Sequence, residues 1–176
     1  MLKDVLVTAM LMASLLAVAQ DKEKQPAWAI KFEDYAVKDV FKGKPKHPVL
    51  TSSAAFKLRN YTTVINEAAR KGPNFAGHYT VAEWGCGSGC VSFIIADAAT
   101  GLVWGGPVFS LSLPLPADEK GRNYQGLVYQ RQSRLLIVDG CPNEDNRRCG
   151  TYYYEFNKGV SKLVRSDFII DFAKPH

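Results

Sequence analysis

The chain has 176 residues, 47% of them hydrophobic and 22% charged, with a formal charge of +5. That composition is ordinary for one globular domain, and a chain of this length buries a core without needing disulfides to fold. The Lys and Arg residues are scattered, which favours solubility and weak attraction to anionic surfaces and excludes a nucleic-acid partner as the first reading.

The first twenty residues carry the clearest signal. Lys3 gives a positive start, and residues 5–19 carry no charge. The apolar run is short for a membrane span, which needs about 20 residues. Ala17-Val18-Ala19 is a small-x-small peptidase site, so residues 1–19 read as a signal peptide cleaved after Ala19. The alternative is an uncleaved N-terminal anchor. No other apolar run is long enough to cross a membrane, so no stable insertion is expected after cleavage. Residues 20–27 are polar and read as a flexible mature N-terminus. Residues 28–176 then form a single α+β domain.

Within that domain, residues 28–41 alternate imperfectly and predict one or two short strands. Residues 43–48 hold Pro45 and Pro48, which force extended backbone before them. Lys42, Lys44 and Lys46 fall on this stretch, which reads as a solvated connector. A helix is predicted over about 53–71. Thr51, Ser52 and Ser53 are competent caps, while Leu58, Tyr61, Ile65, Ala68 and Ala69 share one face. Gly72 and Pro73 end it, with Gly72 in the left-handed cap.

The remainder reads as β. Strands are predicted at 79–84, 91–96, 102–104, 126–130, 135–139, 151–156 and 160–165. Asp97 to Gly101 is a turn, Gly105-Gly106-Pro107 breaks the pattern, and 110–123 is an irregular loop. Asn157-Lys158-Gly159 reads as a three-residue hairpin loop. Short turns join only antiparallel neighbours, so the expected architecture is an antiparallel β-meander packed with one main α-helix. No fixed-period repeat is present.

Four cysteines, Cys86, Cys90, Cys141 and Cys149, predict two disulfides in an exported chain. Three connectivities are open. The local pairs Cys86–Cys90 and Cys141–Cys149 are favoured because each brackets a turn-rich loop. A zinc site is the runner-up: the first pair has suitable spacing, the second does not, and export disfavours free thiols. No metal and no cofactor is expected.

The stretch Gly72-Pro73-Asn74-Phe75-Ala76-Gly77-His78-Tyr79-Thr80-Val81, running into Trp84-Gly85-Cys86-Gly87-Ser88-Gly89-Cys90, resembles a group of small exported bacterial proteins with no assigned function. That group shares the Gly43-Lys44-Pro45 connector, the turn from Asp97 to Gly101 and the strand start from Ser133 to Leu136. The resemblance covers most of the mature chain. It implies export and a shared fold, and it brings no catalytic or binding residues.

The glycine-dense loop around Gly87, Ser88 and Gly89 has two readings: an anion-binding nest, or glycines supplying positive φ around a small disulfide ring. The second asks less of the sequence. Ser88 lacks the full nucleophile elbow, because Cys86 replaces the first glycine and a strand follows instead of a helix. Of His47, His78 and His176, only His78 is placed to act as a base, oriented by Asp97 or Asp139. Alternatively, His78 opens a strand and hydrogen-bonds locally.

Tyr152, Tyr154 and Phe156 share one strand face and Tyr153 the other. Trp84 and Tyr153 are therefore candidates for a protein or glycan contact surface, against ordinary core packing. Two functions follow. The first is a periplasmic or secreted binding protein, of inhibitor or immunity type, whose partner is another envelope or secreted protein. The second is a small hydrolase centred on His78 and the Cys86–Cys90 loop, with His78 and Ser88 as its catalytic candidates.

Overall fold

Both faces are buried along the second strand and along the first half of the first, and this arranges the rest of the molecule. The structure, a computed structural model, describes residues 29–50, 58–87, 89–112 and 125–168. The predicted leader, the polar stretch 20–27, the cap candidates Thr51, Ser52 and Ser53, Ser88 and His176 lie outside the described residues.

On β1 (Tyr79–Gly87) and β2 (Cys90–Asp97), alternate residues point to opposite faces. Tyr79, Val81, Phe93 and Ile95 face one core, with Phe75, Leu111, Leu136, Val138, Tyr152 and Phe156. Ala82, Ile94 and Ala96 face another, with Leu58 and Ile65. Strands buried on both sides read as nearly continuous apolar runs, as residues 91–96 do.

The second core is covered by α1 (Thr62–Lys71), whose Ile65 and Ala69 are buried. The first core is covered by the far half of the same sheet. Its strands are β3 (Val103–Ser112), β4 (Gly126–Tyr129), β5 (Leu135–Pro142), β6 (Gly150–Asn157) and β7 (Val160–Phe168). The order is β1-β2-β3-β5-β6-β7, with β4 also paired to β5, and every pairing is antiparallel. The layers are thus helix, β1–β2, and the coiled second half of the sheet. Full burial of a side chain such as Phe75, Ile95 or Phe156 contributes roughly 1.5–3 kcal/mol.

An antiparallel sheet with one helix is α+β in the broad sense, with the helix a minor part. Several boundaries differ from the sequence reading. Residues 29–41 form no strand; they hold a 3-10 helix at Phe32–Tyr35 and a single bridge, Ala36 to Ser133. Their cue was an imperfect apolar alternation, and their backbone bonds go to separate loops instead of a neighbouring strand, Val37 N to Gln132 O and Phe41 N to Gly77 O. Within the described residues, Leu58 is α-helical, a 3-10 turn follows at Arg59–Tyr61, and the α-helix resumes at Thr62–Lys71, so the predicted helix is interrupted by one tighter turn. Gly72 ends it at φ 88° and ψ −178°, a positive-φ extended conformation instead of the left-handed cap.

Gly105-Gly106-Pro107 does not end a strand. It forms a wide bulge in β3, where the pairing with β2 shifts between Ser92 and Ile94. Gly106 permits this because the Phe93 ring lies directly against its Cα. The β6–β7 hairpin closes with two loop residues, not three. Asn157 pairs with Val160, and Lys158 and Gly159 take φ 48° and 84°, the type I′ pattern that matches strand twist.

The bulge sets up a prediction. Gly106→Ala drives a methyl into the buried Phe93 ring and lowers stability by about 1–3 kcal/mol, the usual cost of overpacking. Gly105→Ala, with open space around its Cα, changes it by less than about 1 kcal/mol. Denaturant melts of the two variants check this.

Candidate functional site

Two regions hold the chemistry, and they lie at opposite ends of β1. At one end both disulfides close locally, Cys86–Cys90 and Cys141–Cys149, in the pairing the sequence favoured. Gly87 pairs with Cys90 across the first ring, and Gly87 and Gly89 adopt φ 145° and 67°, backbone that a tight ring asks of glycine.

The two rings are brought together by strand register. Cys90 is opposite Ser112, and Ser112 is opposite Cys141. Glu144, in the second ring at φ 60°, accepts from Ser110 Oγ at 2.9 Å, and its Oε1 lies 3.6 Å from Cys90 Sγ. The backbone N–H of Asn143 donates to Ser110 O at 2.7 Å. Asp145 caps the 3-10 helix at Asn146–Arg148, and its hydrogen bonds from Arg147 hold its carboxyl below the ordinary range. Cys86, Cys90 and Glu144 bring potential metal-donor atoms within 4.8 Å of one another, but the two sulfurs are bonded to each other.

Beside these rings, the β3 bulge opens a cleft of about 310 Å³, lined by Trp84, Leu58, Ile94, Val103, Pro107 and Asn143 among others. Trp84 stacks on Tyr61 with ring centres 4.7 Å apart and planes 22° apart. Trp84 is thus held flat at the mouth of an apolar cleft, next to the rigid ends of two loops. Tyr153 does not join it. It lies on the outer face of β6, with the Arg165 guanidinium 5.9 Å above its ring. Trp84 packs on the helix side of β1, so the two aromatics occupy opposite outer faces.

At the other end of β1, His78 Nδ1 donates to Asp97 Oδ1 at 3.0 Å. Asp97, not Asp139, is its partner; Asp139 accepts from Thr151 Oγ1 and the Gln125 N–H. Asp97 also accepts from the Ala99 N–H at 2.8 Å and from Thr100 Oγ1 at 3.0 Å. Burial pushes the Asp97 carboxyl up, but the bonds from His78, Ala99 and Thr100 outweigh this and hold it below the usual range. The same turn receives the connector: Ala98 O accepts from Lys46 N at 2.9 Å, and the Ala98 N–H donates to His78 O at 2.9 Å.

The His78 cleft, about 410 Å³, is lined by Lys38, Asp39, Tyr79, Arg134 and Lys158 among others. Its only hydroxyl among the described residues is that of Tyr79, whose pKa is raised by burial and by the Asp97 carboxylate. Nine strand residues separate His78 from the far end of β1 at Gly87, about 30 Å at the usual rise per residue. The described geometry therefore lends nothing to a His78–Ser88 pair. The histidine ties the start of β1 to the β2–β3 turn.

Sequence reasoning missed Glu144 and the meeting of the two rings. The positive φ at Asn143 and Glu144 sits in Pro142-Asn143-Glu144-Asp145, a turn-rich run that signals a turn but not which strand it meets. No family model, no curated protein and no solved structure matches the chain. Among the described residues, no helix is long and apolar enough to cross a membrane. The two disulfides accord with an oxidising compartment.

The Asp97 bonds give a pH prediction. Its folded pKa lies below the ordinary 3.8, so the unfolded chain takes up the proton first as pH falls. The stability it contributes is full above about pH 5 and is lost as the pH drops through the folded pKa. Asp97→Asn lowers stability at pH 7 by about 1–3 kcal/mol and flattens the acid limb of the Tm against pH curve. Thermal melts from pH 2 to 7 measure both.

Proposed function

We propose that this is an exported, non-catalytic binding protein. Its contact surface is the disulfide-clamped end of the sheet together with the Trp84 cleft. The observation that carries this reading is the register that sets the Cys86–Cys90 and Cys141–Cys149 rings side by side, next to a stacked tryptophan at the mouth of an apolar cleft. Rings closed before association lose little conformational entropy on binding, and a rigid aromatic anchor beside them is what a protein contact surface uses.

The partner is another envelope or secreted protein, and the binding role is of inhibitor or immunity type. Export is supported by the apolar leader over residues 1–19, with its small-x-small site, and by the disulfides. The resemblance to small exported bacterial proteins points the same way. The mature protein works in the periplasm or outside the cell and needs no cofactor for this role.

The hydrolase reading rests on His78, and its cleft supplies an imidazole held by a carboxylate but, among the described residues, no serine or cysteine.

The test is capture from envelope extract, followed by affinity measurement with the captured partner. Trp84→Ala weakens binding at least tenfold, while His78→Ala changes it less than twofold. Breaking both rings with serine weakens binding and also costs about 2 kcal/mol of stability per ring. Turnover of an ester, peptide or glycoside substrate that vanishes in His78→Ala would replace this reading with the hydrolase one.

A further inference from the structure

The lysine-bearing connector is not a free linker. Its backbone is fastened along its length: Val37 N donates to Gln132 O at 2.9 Å, Phe41 N to Gly77 O at 3.0 Å, Lys46 N to Ala98 O at 2.9 Å and Val49 N to Gly101 O at 2.7 Å. The lysines are exposed, as the solvated reading has it; what the structure changes is the linker, because hydrogen bonds to distant turns fix its backbone.

This fixed backbone lines two clefts. Lys38 and Lys42 share a groove of about 660 Å³ with Arg131, Gln130, Gln132 and Val40. Lys44, Lys46 and His47 share a second, of about 450 Å³, with Arg70 and Asn66 of α1. Among the described residues, no carboxylate lines either cleft. Asp39, the one acid in the connector's run of lysines, lines the His78 cleft instead. Among the described residues the ion pairs are formed elsewhere, by His78, Arg134, Arg147 and Arg165.

Six cations line these two clefts, of which Lys38 also borders the His78 cleft with Asp39, and the like charges repel one another in the free protein. A bound anion removes that cost. The guanidinium of Arg131 matches an oxyanion with two parallel donors, and lysines add point charges. The two clefts are lined by different stretches of the connector, residues 38–42 in one and 44–48 in the other, so a single phosphate bound in one leaves the cations of the other unmatched. Lys42 and Lys44, one from each cleft, are two residues apart, so their Cα atoms lie within about 7 Å of each other and one extended anion can engage both clefts.

We propose that the connector is a binding track for soluble linear polyphosphate, a chain of linked phosphates with no sugar or base between them. One cleft takes phosphates through Lys38, Lys42 and Arg131, and the other through Lys44, Lys46 and Arg70. This surface is separate from the disulfide end, and it stands or falls without the protein partner proposed there.

The experiment measures binding of the purified, naturally processed protein to long-chain polyphosphate, pyrophosphate, single-stranded DNA and phosphatidylglycerol vesicles over a range of salt. Polyphosphate binds at least tenfold tighter than pyrophosphate and no weaker than DNA, and vesicles do not sediment the protein. The double variants K42E/R131E and K44E/K46E each weaken polyphosphate binding at least tenfold. Each also reduces the slope of log K against log salt by about 1.4, roughly 0.7 for every phosphate that the variant no longer neutralises. Circular dichroism checks their folding, and K42Q and K44Q, each removing one charge, weaken binding severalfold should a double variant unfold. Pyrophosphate binding as tightly as the polymer, a preference for DNA, binding to vesicles alone, or variants that bind polyphosphate as well as the parent would overturn the proposal.

Discussion

The burial of β2 and of the first half of β1 on both faces is the constraint from which the rest follows. A strand pair that is apolar on two sides needs a cover on each. One cover is the short helix, held by Ile65 and Ala69. The other is the second half of the same sheet, which coils round until Leu136, Val138, Tyr152 and Phe156 reach Tyr79 and Phe93. Trp104 locks the return. Its indole lies against Gly159 in the β6–β7 turn, and its ring meets Tyr79 and Phe156 edge-on at 5.9 and 6.5 Å. Aromatic pairs in this geometry add to the stability that their buried area gives.

That central pair also separates the two ends of the molecule. One end is closed by covalent rings and carries an apolar cleft. The other is closed by a histidine, a carboxylate and a fastened connector, and its surface is cationic. The polar groups near the waist are matched across the layers, as where Tyr129 Oη donates to Glu83 at 2.6 Å. Burial and that neighbouring carboxylate push the Tyr129 phenol well above its usual pKa, so it stays a donor at any ordinary pH. The division of labour between the ends is thus built on a middle that is covalently and electrostatically quiet.

Much of this was legible in the chain. The strand pattern of residues 79–96, the Asp97 turn, the helix end at Gly72 and the local disulfide pairing all follow from short-range signals. The illegible parts are long-range. No local rule says that Gly106 exists to admit Phe93, since a Gly-Gly-Pro run looks like a break whether or not a ring fills the space. The anchoring of the connector was not legible because its partners, Gly77, Ala98, Gly101 and Gln132, are far away in sequence. Trp84 and Tyr153 looked alike as exposed aromatics; only the folding of the sheet on itself sends them to opposite faces. The convergence of the two disulfide rings depends on the β3–β5 register, which spans a segment outside the described residues.

Native-state hydrogen exchange tests the central claim most directly. If the doubly covered pair is the frame, the amides of β1 from Thr80 to Ala82 and of β2 from Phe93 to Ala96 exchange last, at the free energy of global unfolding. The β6–β7 hairpin, with Val160, Leu163 and Val164 exposed, opens at lower free energy. A hairpin that stays protected after β1 and β2 have exchanged would contradict the account, because the second half of the sheet would then be the frame and the central pair its cover.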